Sequence, residues 1–256
     1  MIILFMISLT TDFDDFYAGQ MKGQIYKINP NAKIIDITHK IKRQSVYDAA
    51  FVISSSYFYF PKGTVHVVVV DPGVGSQRAT IVLNCDGHTF VGPDNGVFSL
   101  LKGEVFKIDV NKLNQKLLEY GMVNSSNTFH GRDIFSPTAA FLDIGDTDIL
   151  EKKDQITRLP FKKEISKDRA LLTILYVDSF GNIILNIKKE DAIIKEIELS
   201  NIRIPVLTHY EEGKNLDLIA LYSSSGYLEI SKYLGDANSM LNLTSGDYIK
   251  LILKNK

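Results

Sequence analysis

Residues able to do chemistry gather in four clusters in the first half of the chain. They are Thr10-Thr11-Asp12 with Asp14 and Asp15, Asp71 to Arg78, Pro93-Asp94-Asn95-Gly96, and Thr128-Phe129-His130-Gly131-Arg132-Asp133. The second is the most informative, because Val67 to Val70 run straight into Asp71, Pro72, Gly73 and Gly75 and end at Arg78. Four successive valines read as a strand buried on both faces, and a Pro/Gly segment stops such a strand abruptly. A carboxylate is thereby set at a strand end, with a guanidinium on the loop that follows. In open α/β sheets that edge is where ligands bind. A fifth cluster lies further on: Asp178-Ser179-Phe180-Gly181-Asn182, with Ser223-Ser224-Ser225-Gly226-Tyr227 beyond it. Each cluster also has a purely structural reading. Asp12 and Asp15 can cap a helix, Pro-Asp-Asn-Gly is a good turn, Asp133 can pair with Arg132 or cap, and Asp71 with Arg78 can be a surface ion pair. Four such clusters at one edge of one sheet point instead to a ligand.

The elements that must position these groups alternate between two periodicities in the first half. Ile2 to Leu9 reads as a strand, and Asp15 to Ile28 as a helix with Tyr17, Met21, Ile25 and Ile28 at helical spacing and Asp15 as its N-cap. Lys33 to Ile37 is a short strand and Ser45 to Phe60 a helix, followed by strands over Val65 to Val70, Thr80 to Cys85 and Thr89 to Val91. Asp133 to Ile144 is a further helix, with Pro137 in its first turn or bending it. This β-α-β-α-β order predicts an α/β, Rossmann-like domain with a mostly parallel sheet flanked by helices. Lys, Asp and Glu crowd Glu151 to Arg169. Beyond them come short strands at 171–177, 181–187, 202–207, 216–221, 227–230 and 248–253, which predict a smaller β-barrel or sandwich domain. The expected division is residues 1–155, a linker over 156–169, and 170–256.

Composition narrows the class. The chain has 256 residues, with 29 Lys and Arg against 30 Asp and Glu, so no global field attracts nucleic acid or an anionic membrane. The single cysteine, Cys85, excludes an internal disulfide framework and suits a reducing compartment. Met1 to Leu9 is apolar but lacks a basic region before it and a small-residue cleavage pattern after it, and it is too short to span a bilayer. A cytoplasmic, soluble protein is expected. No Gly-x-Gly-x-x-Gly follows the first strand and there is no phosphate loop, which argues against dinucleotides and triphosphates. The histidines at 39, 66, 88, 130 and 209 lack zinc-ligand spacing. Asp12, Asp71, Asp94 and His130 form the one set that could take a divalent metal.

Several stretches resemble a known family. Leu-Thr-Thr-Asp-Phe at 9–13, Met-Lys-Gly at 21–23, Asp-Ile-Thr-His at 36–39, Phe-Pro-x-Gly-Thr-Val-His-Val at 60–67 and Val-Val-Asp-Pro-Gly-Val-Gly at 69–75 look like the S-adenosyl-L-methionine hydroxide adenosyltransferases. So do Pro-Asp-Asn-Gly, Thr-Phe-His-Gly-Arg-Asp, Asp-x-Phe-Gly-Asn and Ser-Ser-Gly-Tyr-Leu-Glu-Ile, at 93–96, 128–133, 178–182 and 224–230. The resemblance runs over nearly the whole chain in the family's order. It implies hydrolysis of S-adenosyl-L-methionine to adenosine and L-methionine, with the substrate as the only small molecule and no cofactor or metal. It implies a catalytic triad of Asp71, Arg78 and His130. It also implies substrate contacts from Asp12 (ribose diol), Asn95, Phe129, Asp178 and Ser224 (methionine end), Phe180, Asn182 (adenine), Tyr210 (stacking) and Ala237. Finally it implies a homotrimer, with each site between the α/β domain of one subunit and the β domain of its neighbour. Relatives that attack the same substrate with halide carry a tyrosine and a serine where this chain has His130-Gly131. The chain departs from the family in a shortened segment between Asp12 and Met21, and in Gln44 where an aromatic is common.

The chemistry suits these residues. The sulfonium already activates C5′ and leaves as a neutral thioether, so the difficulty lies in making water a nucleophile. Arg78 stays protonated and can only stabilise hydroxide character and orient the water. His130, with an ordinary pKa of about 6.5, can exchange a proton near neutrality. Asp71 can orient either partner and compensate the guanidinium charge. Three other readings stand beside this one: a non-catalytic binder of adenosine or S-adenosyl-L-methionine, a metal-dependent hydrolase, and a halogenase, the last disfavoured by His130-Gly131.

Overall fold

The computed structural model describes residues 6–123 and 126–254, which divide into two compact units, Met1–Leu159 and Pro160–Lys256. In the first, strands β1 (Ile7–Thr11), β2 (Ile34–Thr38), β3 (Val65–Val69), β4 (Thr80–Cys85), β5 (His88–Pro93), β6 (Glu104–Ile108) and β7 (Leu150–Lys153) form one sheet in the order β2-β1-β3-β5-β4-β6-β7. Of the strand expected at Ile2 to Leu9, residues 2–5 lie outside the described residues, and β1 runs on to Thr11. Pairing is parallel from β2 through β1 and β3 to β5, and antiparallel from β5 onward through β4, β6 and β7. The change of direction has a local cause. Only Asp86 and Gly87, at φ 51 and 81, join β4 to β5. Two such residues make a hairpin turn, whereas a parallel crossover needs a dozen or more.

Helices cover both faces. On one, α1 (Asp15–Ile28), α3 (Val110–Glu119) and α4 (Ser136–Asp143) meet Val65, Val67 and Val69; on the other, α2 (Val46–Ser56) meets Val68 and Val70. All five residues of β3 are buried, as the valine run predicts. Asp15 is already the first helical residue of α1; Asp14 holds the N-cap position, without a side-chain hydrogen bond. Ser45 caps α2, receiving the Asp48 amide at 3.3 Å, but the helix stops at Ser56 and continues only as a 3₁₀ turn to Tyr59. Phe60 precedes Pro61 and takes ψ 154, the extended conformation a proline imposes on its predecessor. The helix expected over Asp133 to Ile144 begins earlier, as a π-turn over Gly131–Phe135 that leads into α4 with Pro137 in the first turn.

The second unit carries β8 (Lys163–Ile165), β9 (Arg169–Val177), β10 (Ile183–Lys188), β11 (Glu196–Leu199), β12 (Ile202–Pro205), β13 (Ile219–Tyr222), β14 (Tyr227–Ser231) and β15 (Tyr248–Lys254), with a short helix α5 (Asn238–Leu241). The order β12-β11-β15-β9-β10-β14-β13 is antiparallel throughout, and a bridge between Val206 and Ala220 brings its two ends together. The sheet is therefore a nearly closed barrel, filled by residues such as Leu172, Ile183, Leu185, Ile230 and Leu251. No helix among the described residues is long and apolar enough to cross a membrane.

Candidate active site

Three of the four clusters meet at the carboxyl ends of β1 and β3. Asp71 follows β3, Asp12 follows β1, and His130 stands at the N-cap of the π-turn. Arg78 reaches back across its loop, donating from Nε to Asp71 Oδ1 at 2.6 Å and from Nη2 to Asp71 Oδ2. The same Nη2 lies 2.9 Å from His130 Nδ1, and Nη1 donates to the Ala79 carbonyl at 3.3 Å. The Arg78 and Asp71 side chains are only 8% and 5% exposed, so this is not the solvated surface pair that the sequence alone allowed. A buried, bidentate pair is held by geometry, and losing one partner would strand the other's charge. The ring of buried Phe135 backs the assembly, with the guanidinium carbon 5.6 Å from its centroid and the imidazole meeting it edge-on at 6.4 Å.

A guanidinium only donates, so His130 Nδ1 must be an acceptor. The neutral ring therefore carries its proton on Nε2. Burial, and then the Arg78 charge, hold the His130 pKa below the ordinary histidine value. The Asp12 carboxyl is pushed up, chiefly by burial and further by the Asp71 charge, while the backbone N–H of Gln44, at 2.6 Å from Oδ2, opposes the rise. Asp12, Gln44, Asp71, Phe129 and His130 all line a cavity of about 280 Å³. Phe129 forms one wall, packed edge-on against Phe13 and Tyr17 at 5.6 and 5.4 Å, with the Arg132 guanidinium 5.2 Å from its ring centroid. Arg132 also pairs with Asp133 at 2.6 and 2.9 Å, as one sequence reading allowed.

Two glycines are required here. A Cβ on Gly131 would stand 2.9 Å from the Phe129 ring and 3.2 Å from Val69 Cγ1. Gly75 has φ +78, and a Cβ on it would stand 2.7 Å from the Asn127 carbonyl oxygen. The loop carrying Arg78 thus rests directly on the backbone of the loop carrying His130.

The third cluster stands apart from this cavity. Asn95 Nδ2 donates to the Val70 carbonyl at 2.9 Å, fixing the residue before Asp71 from behind. Asp94 accepts the Thr157 amide at 2.7 Å and lies 3.4 Å from Lys153 Nζ. Among the described residues no three His, Cys, Asp or Glu side chains gather into a group that could hold a metal ion.

In the second unit, Asp178 Oδ1 accepts the amides of Phe180 and Asn182, both at 2.9 Å, and Oδ2 accepts Asn182 Nδ2 at 2.9 Å. The Asn238 amide donates to the Gly181 carbonyl at 3.0 Å, bringing buried Ala237 beside that turn. Phe180 is 75% exposed and Ser224 is exposed on its turn. Tyr210 donates its hydroxyl to buried Glu229, whose same oxygen accepts Ser231 Oγ at 3.0 Å. Burial raises the Glu229 pKa. Glu229 was not among the residues the sequence singled out, although a carboxylate between Leu228 and Ile230 in a strand is a visible anomaly. A larger groove, about 790 Å³, crosses the outer surface of the barrel between Glu164, Arg169, Glu198 and Lys250. Those charges stand on solvent-facing positions, and nothing in the groove resembles the coupled set around Arg78.

Comparison with known proteins matches residues 7–151 to the family model described as SAM hydroxide adenosyltransferase N-terminal domain, and residues 172–250 to its C-terminal domain. An (R)-S-adenosyl-L-methionine hydrolase of Methanocaldococcus jannaschii is 36% identical over 98% of this chain and 97% of its own length. One of Thermus thermophilus is 29% identical over 93% and 95%, and a fluorinase of Actinoplanes is 23% identical over 96% and 95%. Among solved structures, an uncharacterized conserved protein of Thermotoga maritima superposes with a TM-score of 0.83 at 32% identity, over 96% of this chain and 99% of that one.

Proposed function

The chain belongs to the SAM hydroxide adenosyltransferase family, and from that premise we propose that it hydrolyses S-adenosyl-L-methionine to adenosine and L-methionine. The observation that carries the reading is the single guanidinium of Arg78 bridging Asp71 and His130 beside a cavity that also holds Asp12. Oxygen attacks C5′ in line, the C5′–S bond breaks, and its electron pair leaves with methionine as a neutral thioether. The attacking water releases one proton to solvent on the way, so that sulfonium and water become adenosine, methionine and a proton. Because Arg78 occupies His130 Nδ1, the ring meets the nucleophile with its Nε2–H. His130 and Arg78 then act as two donors that hold a hydroxide-like oxygen, with Asp71 fixing the angle of the guanidinium. Attack of an anion on a cation cancels charge, which a site with little water favours.

Asp12 serves as acceptor for the ribose hydroxyls, and Phe129 closes the cavity wall. Asn95 acts behind the site, through Val70. Asp178, Phe180, Asn182, Tyr210, Ser224 and Ala237 serve the adenine and methionine ends, and the active form is a homotrimer in which the second domain of one subunit serves the first domain of a neighbour. No cofactor is required, since the sulfonium is already a good leaving group, and the protein works in the cytoplasm, in keeping with its lone cysteine.

The test is turnover in H₂¹⁸O with each sulfonium epimer supplied separately, since the relatives are named for the (R) form. Adenosine should carry the label in its 5′-hydroxyl, in equal amount to methionine, and chelator should leave the rate unchanged. Asp71→Asn, Arg78→Ala and His130→Ala should each lower kcat by about 100-fold or more, the scale of a lost oriented donor or proton-handling group. Absence of labelled adenosine with both epimers would overturn the reading.

A further inference from the structure

Two of the sequence stretches, Met21-Lys22-Gly23 and Asp36-Ile37-Thr38-His39, take no part in the water-activating geometry, yet side-chain contacts link them into one chain that ends beside Asp12. Lys22 Nζ, on α1, donates to Asp36 Oδ2 at 2.6 Å. Asp36 Oδ1, on β2, lies 3.2 Å from His39 Nε2, and His39 Nδ1 lies 2.8 Å from Thr11 Oγ1 at the end of β1. The His39 side chain is 9% exposed and Thr11 is wholly buried. The Nδ1–Thr11 contact is the hydrogen bond that holds this buried imidazole, since Nε2, although near Asp36, makes none, so the ring cannot turn without giving up its tie to Thr11.

The segment after His39 returns twice to the same place. The Ile41 amide donates to the Thr11 carbonyl at 3.3 Å, and the Gln44 amide donates to Asp12 Oδ2 at 2.6 Å. Gln44 does so from φ +64, a left-handed conformation unusual for a residue with a Cβ. Such a conformation persists only where the surroundings impose it. On the far side, the Thr11 hydroxyl also lies 3.4 Å from the Phe13 carbonyl, so contacts from Thr11 bracket Asp12 along the chain.

We propose that His39 is a positioning residue for Asp12: it locks Thr11 against β2, so that Gln44 can hold one carboxylate oxygen and Oδ1 faces the ribose diol. The proposal rests on Asp12 binding that diol, and the experiment separates the two claims. Binding of adenosine and of 2′,3′-dideoxyadenosine, which lacks the diol, is measured by calorimetry on the full-length protein, its Asp12→Ala, His39→Ala, His39→Asn and Thr11→Val variants. Asp12→Ala should abolish the preference for adenosine. His39→Ala and Thr11→Val should each weaken adenosine about tenfold, the loss of roughly one oriented hydrogen bond, and change the dideoxy ligand less than about twofold. His39→Asn, whose amide reaches the place of Nδ1, should recover most of the preference. If Asp12→Ala removes the preference while His39→Ala and Thr11→Val weaken both ligands equally, or neither, the positioning role is overturned. If Asp12→Ala leaves the preference intact, the diol reading itself fails. Should His39→Ala not fold, Thr11→Val decides alone.

Discussion

Each nitrogen of Arg78 is engaged by the protein, two of them with Asp71 and one of those shared with His130. This couples the titration of His130 to a charge that cannot itself titrate. The folded pKa of His130 is lowered by burial and by Arg78, whereas Asp71 and Asp133 oppose the shift. The neutral form of His130 therefore predominates at neutral pH, and its midpoint lies below the ordinary value of about 6.5. In Arg78→Ala the lowering charge is gone and the two carboxylates remain. The His130 titration, followed by imidazole NMR, should move to higher pH than in the parent protein. An unmoved or lower midpoint would remove Arg78 as the partner of Nδ1. The residue types of this site were legible in the sequence, because Asp71 and Arg78 flank one loop. Their meeting with His130 was legible only through the family resemblance and not from spacing, since it depends on how a π-turn starting at Gly131 folds against β3.

At the scale of elements, the valine run of β3 announced its burial, and the structure buries His66 within the same strand. His66 Nδ1 lies 2.6 Å from Ser8 Oγ, and Nε2 lies 3.2 Å from His88 Nδ1, all of it buried. Burial, reinforced by His88, pulls the His66 pKa down to about 3. Unfolded chain takes up this proton near pH 6.5, so between those values the unfolded state binds more protons. Stability is complete above about pH 6.5 and falls with acidification, by up to about 1.4 kcal/mol per pH unit. Urea titrations at pH 7 and pH 5 should show that loss, and a flat stability would refute it. Other elements went unread. α3 was missed although Asp109 accepts the amides of Asn111 and Lys112, and Leu113 and Leu117 are buried at helical spacing. β6 and β8 are short and charge-bearing, a pattern that suits antiparallel neighbours and sheet edges and imitates loop.

The whole molecule holds separate cores, two flanking the first sheet and one inside the barrel. Composition shift alone marked the region between them. Thr157 and Leu159 hydrogen-bond back to Asp94 and Ser99 at 2.7 Å, while Lys163–Ile165 already pairs with β9. The residues proposed to handle water stand on the first unit, and most proposed adenine and methionine contacts stand on the second. The proposed homotrimer would make this division functional. Light scattering should report three times the monomer mass, with activity falling on dilution below the association range; a fully active monomer would exclude the arrangement.

The contact of Gly75 with the Asn127 carbonyl has a practical corollary for redesign. Because one main chain rests on another, side chains elsewhere on either loop can be exchanged without touching the seam between them, whereas one at Gly75 would break it. Lengthening or shortening one loop, by contrast, would shift the other and carry both proposed donors of the nucleophile away from C5′ together. Anyone re-engineering the enzyme toward another nucleophile would do best to transplant the two loops as a matched pair.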